Sequence, residues 1–191
     1  ITCDAEAQDF HSNRDRRGLM KAVGNALEAG ANIINIAFSR SVKGDLVDTD
    51  TILPEILSAL DATWDHRSVG SLMSFFSTSG GTLLSEAILD SEGSLPAIML
   101  TLGAPTGVLC TINVSVPNLP SRTRGRLLGD LANAAEDTQA GNILIGGSWS
   151  DSVLVMENQV ANLSSEFHLF TNAHLCLLAY NRDCSPVKCF P

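Results

Sequence analysis

Apolar positions recur along this chain with two periods, and the switches between them mark out its elements. From Arg16 to Ala29, the residues Leu19, Met20, Val23, Ala26 and Leu27 share one face at helical spacing, and Gly30 stops the helix. Asn32 to Phe38 (NIINIAF) follows as a buried strand. Thr51 to Trp64 predicts a second helix, capped by Asp50 or Thr51, with Ile52, Leu53, Ile56, Leu57 and Leu60 along its apolar face. Pro54 fits there because it lies in the first turn. Ile1 to Ala5 reads as a first strand, Gln8 to Asn13 as polar loop and Arg40 to Asp50 as charged loop. Ser68 to Phe76 and Thr82 to Leu89 read as a hairpin across Ser77–Gly81, and Ala97 to Leu102 and Val108 to Val116 as another across Gly103–Gly107.

The most informative stretch runs from Thr111 to Ser152. Its opening strand is stopped by Pro117 and Pro120, since proline cannot donate to a ladder. A helix is predicted over Ser121 to Asp137, with Leu127, Leu128, Leu131, Ala134 and Ala135 on one face. Gly141 closes that unit. Asn142 to Ile145 is short and apolar, a strand expected to be buried on both faces. Gly146 and Gly147 are expected to bring the chain out into a loop headed by Ser148, Trp149 and Ser150. In α/β sheets functional groups gather beyond the carboxyl ends of strands, so chemistry is sought at 148–152. Asp151 to Ala161 reads as a short helix, Phe167 to Phe170 as a short strand, and Leu175 to Ala179 as a closing apolar strand.

Composition narrows this picture. The chain has 191 residues, 45% apolar and 17% charged, enough for one globular domain with a real core. No apolar run approaches the roughly 20 residues of a membrane helix. The net charge of −9 argues against nucleic acid as a partner. Arg14, Arg16 and Arg17, and Arg122, Arg124 and Arg126, read as solvated helix starts. Of five cysteines, Cys3, Cys110 and Cys176 lie in strand-like apolar context and read as core fillers. Cys184 and Cys189 in the tail are compatible with a small disulfide loop or with free thiols, and the spacing disfavours zinc. Two glycosylation sequons occur, Asn113-Val114-Ser115 in a buried strand and Asn162-Leu163-Ser164 in a more open context, the latter relevant only to a secreted chain. The chain begins at Ile1, so a processed precursor is expected, organellar or secreted.

The strand Asn113-Val114-Ser115-Val116, the Arg-containing helix and the strand end Ile143-Leu144-Ile145-Gly146-Gly147-Ser148-Trp149-Ser150-Asp151-Ser152 resemble the endonuclease/exonuclease/phosphatase (DNase-like) superfamily. That group includes apurinic endonucleases, pancreatic-type DNases, sphingomyelinases and inositol phosphatases. The resemblance implies a two-sheet α/β/β/α sandwich, trimmed relative to most members, as one domain over residues 1–182 with a tail at 183–191. It also implies Mg²⁺-dependent phosphoester hydrolysis, yet the functional positions depart from the pattern. Where the family strand ends Gly-Asp-Phe/Trp-Asn, this chain carries Ser148 and Ser150. Where a strand ends in a phosphate-contacting His, it has Ser115. The metal-binding Glu falls at Ala37-Phe38, and the Asn of the first strand near Asp4 and Ala5. The closing Ser-Asp-His keeps His174, but its Asp is Ala173.

A serine hydroxyl brings no charge to a hard cation and cannot replace a carboxylate for Mg²⁺. The resemblance therefore implies a pseudoenzyme with no catalytic residue, metal or other cofactor, acting as a structural or accessory subunit of a larger protein assembly. The alternatives are a Mg²⁺-dependent phosphoesterase with displaced ligands (Asp4, Glu86, Asp130 and Asp151), a Ser/His hydrolase pairing Ser148 or Ser150 with His174, and a small-ligand binder around Trp149 and His174. The turn is not a Gly-x-Ser-x-Gly elbow, which disfavours the Ser/His reading. His11, His66 and His168 show no partner spacing and read as surface or satisfied core residues. Glu86 reads more simply as a solvent-facing strand residue.

Overall fold

The computed structural model describes residues 2–6, 13–39, 49–90, 96–116, 120–149, 167–172 and 175–181. Within these, two β-sheets stack face to face and helices cover their outer faces. The first sheet has the order β1 (Thr2–Glu6), β2 (Ile33–Ser39), β4 (Leu72–Ser77), β3 (Trp64–Val69). The second has the order β5 (Thr82–Asp90), β6 (Pro96–Ala104), β7 (Gly107–Val116), β8 (Asn142–Trp149), β10 (Leu175–Asn181), β9 (Phe167–Asn172). Helix α1 (Asn13–Glu28) links the parallel pair β1 and β2, and α3 (Ser121–Glu136) links the parallel pair β7 and β8. Helix α2 (Thr49–Ala59) joins α1 on the first sheet, tied to it by an Arg16–Glu55 ion pair of 3.0 Å. The architecture is the α/β/β/α sandwich expected.

The layers follow from strand periodicity. On β2, Ile34, Ile36 and Phe38 point outward and pack with Leu19, Val23 and Ala26 of α1 and Ile52 and Ile56 of α2. The alternate residues, Ile33 and Ala37, face the other sheet, where Ala37, Leu72 and Phe76 meet Ile98, Leu100 and Leu102. This double burial is why Asn32–Phe38 reads as continuously apolar. On the far side, Leu127, Leu128, Leu131 and Ala135 of α3 cover Ile112, Val114, Ile143 and Ile145.

Three expectations require correction. Helix α2 ends at Ala59, and Trp64 opens strand β3 instead of closing the helix. Apolar spacing ran on past the helix end because Leu60 is buried in the same cluster. Second, 68–76 and 82–89 are not one hairpin. Strand β4 pairs with β3 across a turn at Gly70, whose φ of +54° suits glycine, while β5 belongs to the other sheet. The glycines at 80 and 81 mark the crossing between sheets. A Cβ on Gly80 would lie 2.7 Å from the Asn32 side chain, and one on Gly81 would lie 3.0 Å from the Gly103 carbonyl. Third, β8 does not leave the sheet at Gly146 but remains paired through Trp149. The hairpin of β6 and β7 forms as expected, turning at residues 105–106. The helix expected at 151–161, the Asn162 sequon and the tail cysteines lie outside the described residues.

Candidate functional site: the joined strand ends

The parallel ladder between β7 and β8 sets Ser115 beside Ser148 and Val116 beside Trp149. On the other side of β8, Gly147 pairs with Cys176, near the opening of β10. In the first sheet, β1 and β2 run together to the same end, with Ala5 beside Phe38 and Glu6 beside Ser39. The two ends are joined directly: the Ser115 hydroxyl donates to the Phe38 carbonyl at 3.3 Å. Strands β1 and β2 also contact β8, and β1 contacts β10. The carboxyl ends of β1, β2, β7 and β8 therefore meet the opening end of β10. Of the candidate positions, Ser115 and Ser148 are brought together by this register. Ser150, Ala173 and His174 lie outside the described residues.

Close approach of β7 and β8 accounts for Gly147. Gly147 has φ +152°, and a Cβ there would lie 1.7 Å from the carbonyl oxygen of Val114, its ladder partner. No side chain fits, so the glycine is fixed by the ladder itself. Ser115 is buried, with its hydroxyl committed to Phe38. Phe38 is also buried, packed among the α1 and α2 side chains. The described side chains at 37, 38 and 115 supply one hydroxyl and no carboxylate to this end.

The displaced-ligand candidates scatter. Asp4 lies on β1 with Ala37 as its register partner. Glu86 is exposed on the edge strand β5 and is ion-paired with Arg67 of β3. Asp130 is exposed on α3, and Asp151 lies outside the described residues. Among the described residues no group of three or more His, Cys, Asp or Glu side chains is placed to hold a metal ion.

Arg67 instead organises a strap between the sheet edges. It pairs with Glu86 and, at 3.2 Å, with Asp65, and it sits 5.7 Å from the centre of the Phe76 ring. Desolvation works to raise the Asp65 carboxyl, but the His66 N–H and the Arg67 guanidinium hold it below the ordinary aspartate value. His66 stacks on Phe75 with ring centres 5.9 Å apart. Cys110 is a buried core thiol, as expected, and burial pushes its pKa up to about 11 despite hydrogen bonds with Thr138 and Thr101.

Sequence reasoning missed a polar seam between the sheets. Strand β7 turns Cys110, Ile112 and Val114 to the helix-facing cluster, and Thr111, Asn113 and Ser115 line its other side. Asn113 Nδ2 donates to the carbonyls of Ile36 (3.0 Å) and Met73 (2.9 Å), and Asn35 Nδ2 donates to Thr111 Oγ1 at 2.9 Å. The alternation Thr-Ile-Asn-Val-Ser was the available signal.

No family model matches the chain, and no curated protein matches it by sequence. Solved structures do match. The D. rerio TDP2 humanised by 14 mutations superposes with a TM-score of 0.70 at 10% identity, over 97% of this chain and 82% of that one. An endonuclease/exonuclease/phosphatase family protein from Bacteroides thetaiotaomicron gives 0.69 at 8% identity, over 94% and 80%. The human Nocturnin catalytic domain with bound sulfate gives 0.62 at 14% identity, over 92% and 78%. The chain has the endonuclease/exonuclease/phosphatase, or DNase-like, fold, slightly trimmed relative to these structures.

Proposed function

We propose that this chain is a non-catalytic DNase-like protein, one domain over residues 1–182 with a tail at 183–191, acting as a structural or accessory subunit of a larger protein assembly. The observation that carries this reading is the Ser115–Phe38 contact. At the end where a metal-dependent phosphoesterase needs carboxylates, a buried phenylalanine and a serine hydroxyl bound to its carbonyl join the sheets. In the β7–β8 register Ser148 is the partner of Ser115, and a serine brings no charge to a hard cation. Two large apolar side chains exposed on the edge strand β5, Leu84 at 56% and Ile88 at 59%, support a docking role. The net charge of −9 disfavours a nucleic-acid partner.

A second reading, a Mg²⁺-dependent phosphoesterase with ligands placed differently, is favoured by the company of the fold: one similar structure is D. rerio TDP2 complexed with a single-strand DNA product. Calorimetry with Mg²⁺ and Mn²⁺ separates the two. It compares the natural chain with a Ser148→Asp, Ser150→Asn, Ala173→Asp triple variant. The first reading expects no binding by the natural chain and a gained site in the variant. Tight binding by the natural chain would overturn it and direct attention to phosphodiester and phosphomonoester substrates.

A further inference from the structure

Asn35 and Asn113 are both almost wholly buried between the sheets, and both keep an amide oxygen without a partner. Their nitrogens are committed: Asn113 Nδ2 to Ile36 O and Met73 O, with Ser74 Oγ at 3.3 Å, and Asn35 Nδ2 to Thr111 Oγ1. Turning the Asn113 amide over would aim its oxygen at two carbonyl oxygens, so its orientation is fixed. Turning Asn35 over would only exchange an unpaired acceptor for an unpaired donor. The two residues are also neighbours in the seam. Ser74, which Asn113 reaches, is the register partner of Asn35, and Thr111, which Asn35 reaches, stands two residues before Asn113 on β7. A buried polar acceptor away from solvent demands a donor.

We infer that this seam is an internal hydration site. Ordered water donates to Asn35 Oδ1 and Asn113 Oδ1 and completes its own bonds on the hydroxyls of Ser74 and Thr111. Water fits the chemistry because it donates and accepts at once, and internal waters take two to four polar partners. A buried metal cation fits poorly, since two neutral amide oxygens and two hydroxyls leave its charge uncompensated. The site is independent of any chemistry at the strand ends.

Two measurements test this. Oxygen-17 magnetic relaxation dispersion reports long-lived internal water, and an Asn35→Val variant should lose part of the dispersion amplitude of the natural protein. An unchanged amplitude in the folded variant overturns the inference. Should Asn35→Val not fold, electron density of the natural chain decides. Ordered water within about 2.7–3.2 Å of either amide oxygen upholds the site. Bare oxygens overturn it, as does a thallium anomalous peak there, which identifies a monovalent cation instead.

Discussion

Gly147→Ala is the sharpest test of how the two central strands are joined. The added Cβ would lie 1.7 Å from Val114 O and 2.9 Å from Val114 N, where real contacts do not fall below 3.0 Å. The β7–β8 ladder has to open by more than an ångström at that pair. The backbone φ of +152° is also one that alanine rarely adopts. Strain of this kind contributes about 1–3 kcal/mol, and overpacking a fixed core about 1–3 kcal/mol more, for a total of about 2–6 kcal/mol. With a urea m-value of about 2 kcal/mol per molar, the unfolding midpoint falls by about 1–3 M. Circular dichroism across a urea series reads this directly. Gly24→Ala serves as the control, since Gly24 lies inside α1 with nothing within 4 Å of a new Cβ. It should raise stability by about 0.5–1 kcal/mol. A Gly147→Ala protein that unfolds at the natural midpoint with an unchanged slope would refute the close approach of β7 and β8.

Four further outcomes are expected. The Cys110 thiol ionises near 9.0 when unfolded but near 11 when folded, so the folded state holds the extra proton between those values and stability falls as pH rises through them. The loss is about 3 kcal/mol at most, and Cys110→Ala should flatten that limb of the pH–stability curve measured by urea titration. Asp65 runs the other way: its folded carboxyl is depressed, so its contribution is present at neutral pH and fades as pH drops below the ordinary aspartate value of about 3.9. Arg67→Ala should remove that contribution and lower stability by no more than about 1 kcal/mol, because the pairs are partly exposed, with a smaller difference at high salt. Asn113→Asp places a carboxylate against the carbonyls of Ile36 and Met73 and should destabilise by about 3 kcal/mol or more at neutral pH, partly recovered in acid. Replacing both Leu84 and Ile88 with Lys should change stability by less than about 0.5 kcal/mol per site while abolishing co-purification with any partner that docks on β5; a large loss of stability would show that these side chains serve the fold itself.

What could be read from the chain depended on how local the cause was. Helices α1 and α3 are legible because their apolar faces, from Leu19 to Leu27 and from Leu127 to Ala135, are set by spacing alone. The β6–β7 hairpin is legible because its partners adjoin in sequence. The β3–β4–β5 region misled because hairpin chemistry at Ser77–Gly81 is the same whether the chain turns back in one sheet or crosses to the other. Only the pairing of β4 with β3 and of β5 with β6 distinguishes the two. Likewise Gly146-Gly147 resembles a loop entry by composition, yet both stay in the β7–β8 ladder, and at Gly147 it is too tight for any side chain.

The sequence by itself determined the alternating elements, the two-sheet class implied by the Asn113–Val116 and Ile143–Trp149 strand ends, and the absence of carboxylates from Ala37, Phe38, Ser115, Ser148 and Ser150. Periodicity and residue identity are properties of the chain before it folds. The tertiary structure alone decided that the Ser115 hydroxyl binds the Phe38 carbonyl, that Arg67 spans the sheet edges to Glu86, and that Asn113 reaches Ile36 and Met73. Each of these joins groups on opposite sheets, and no local pattern encodes which strand of one sheet will lie against which strand of the other.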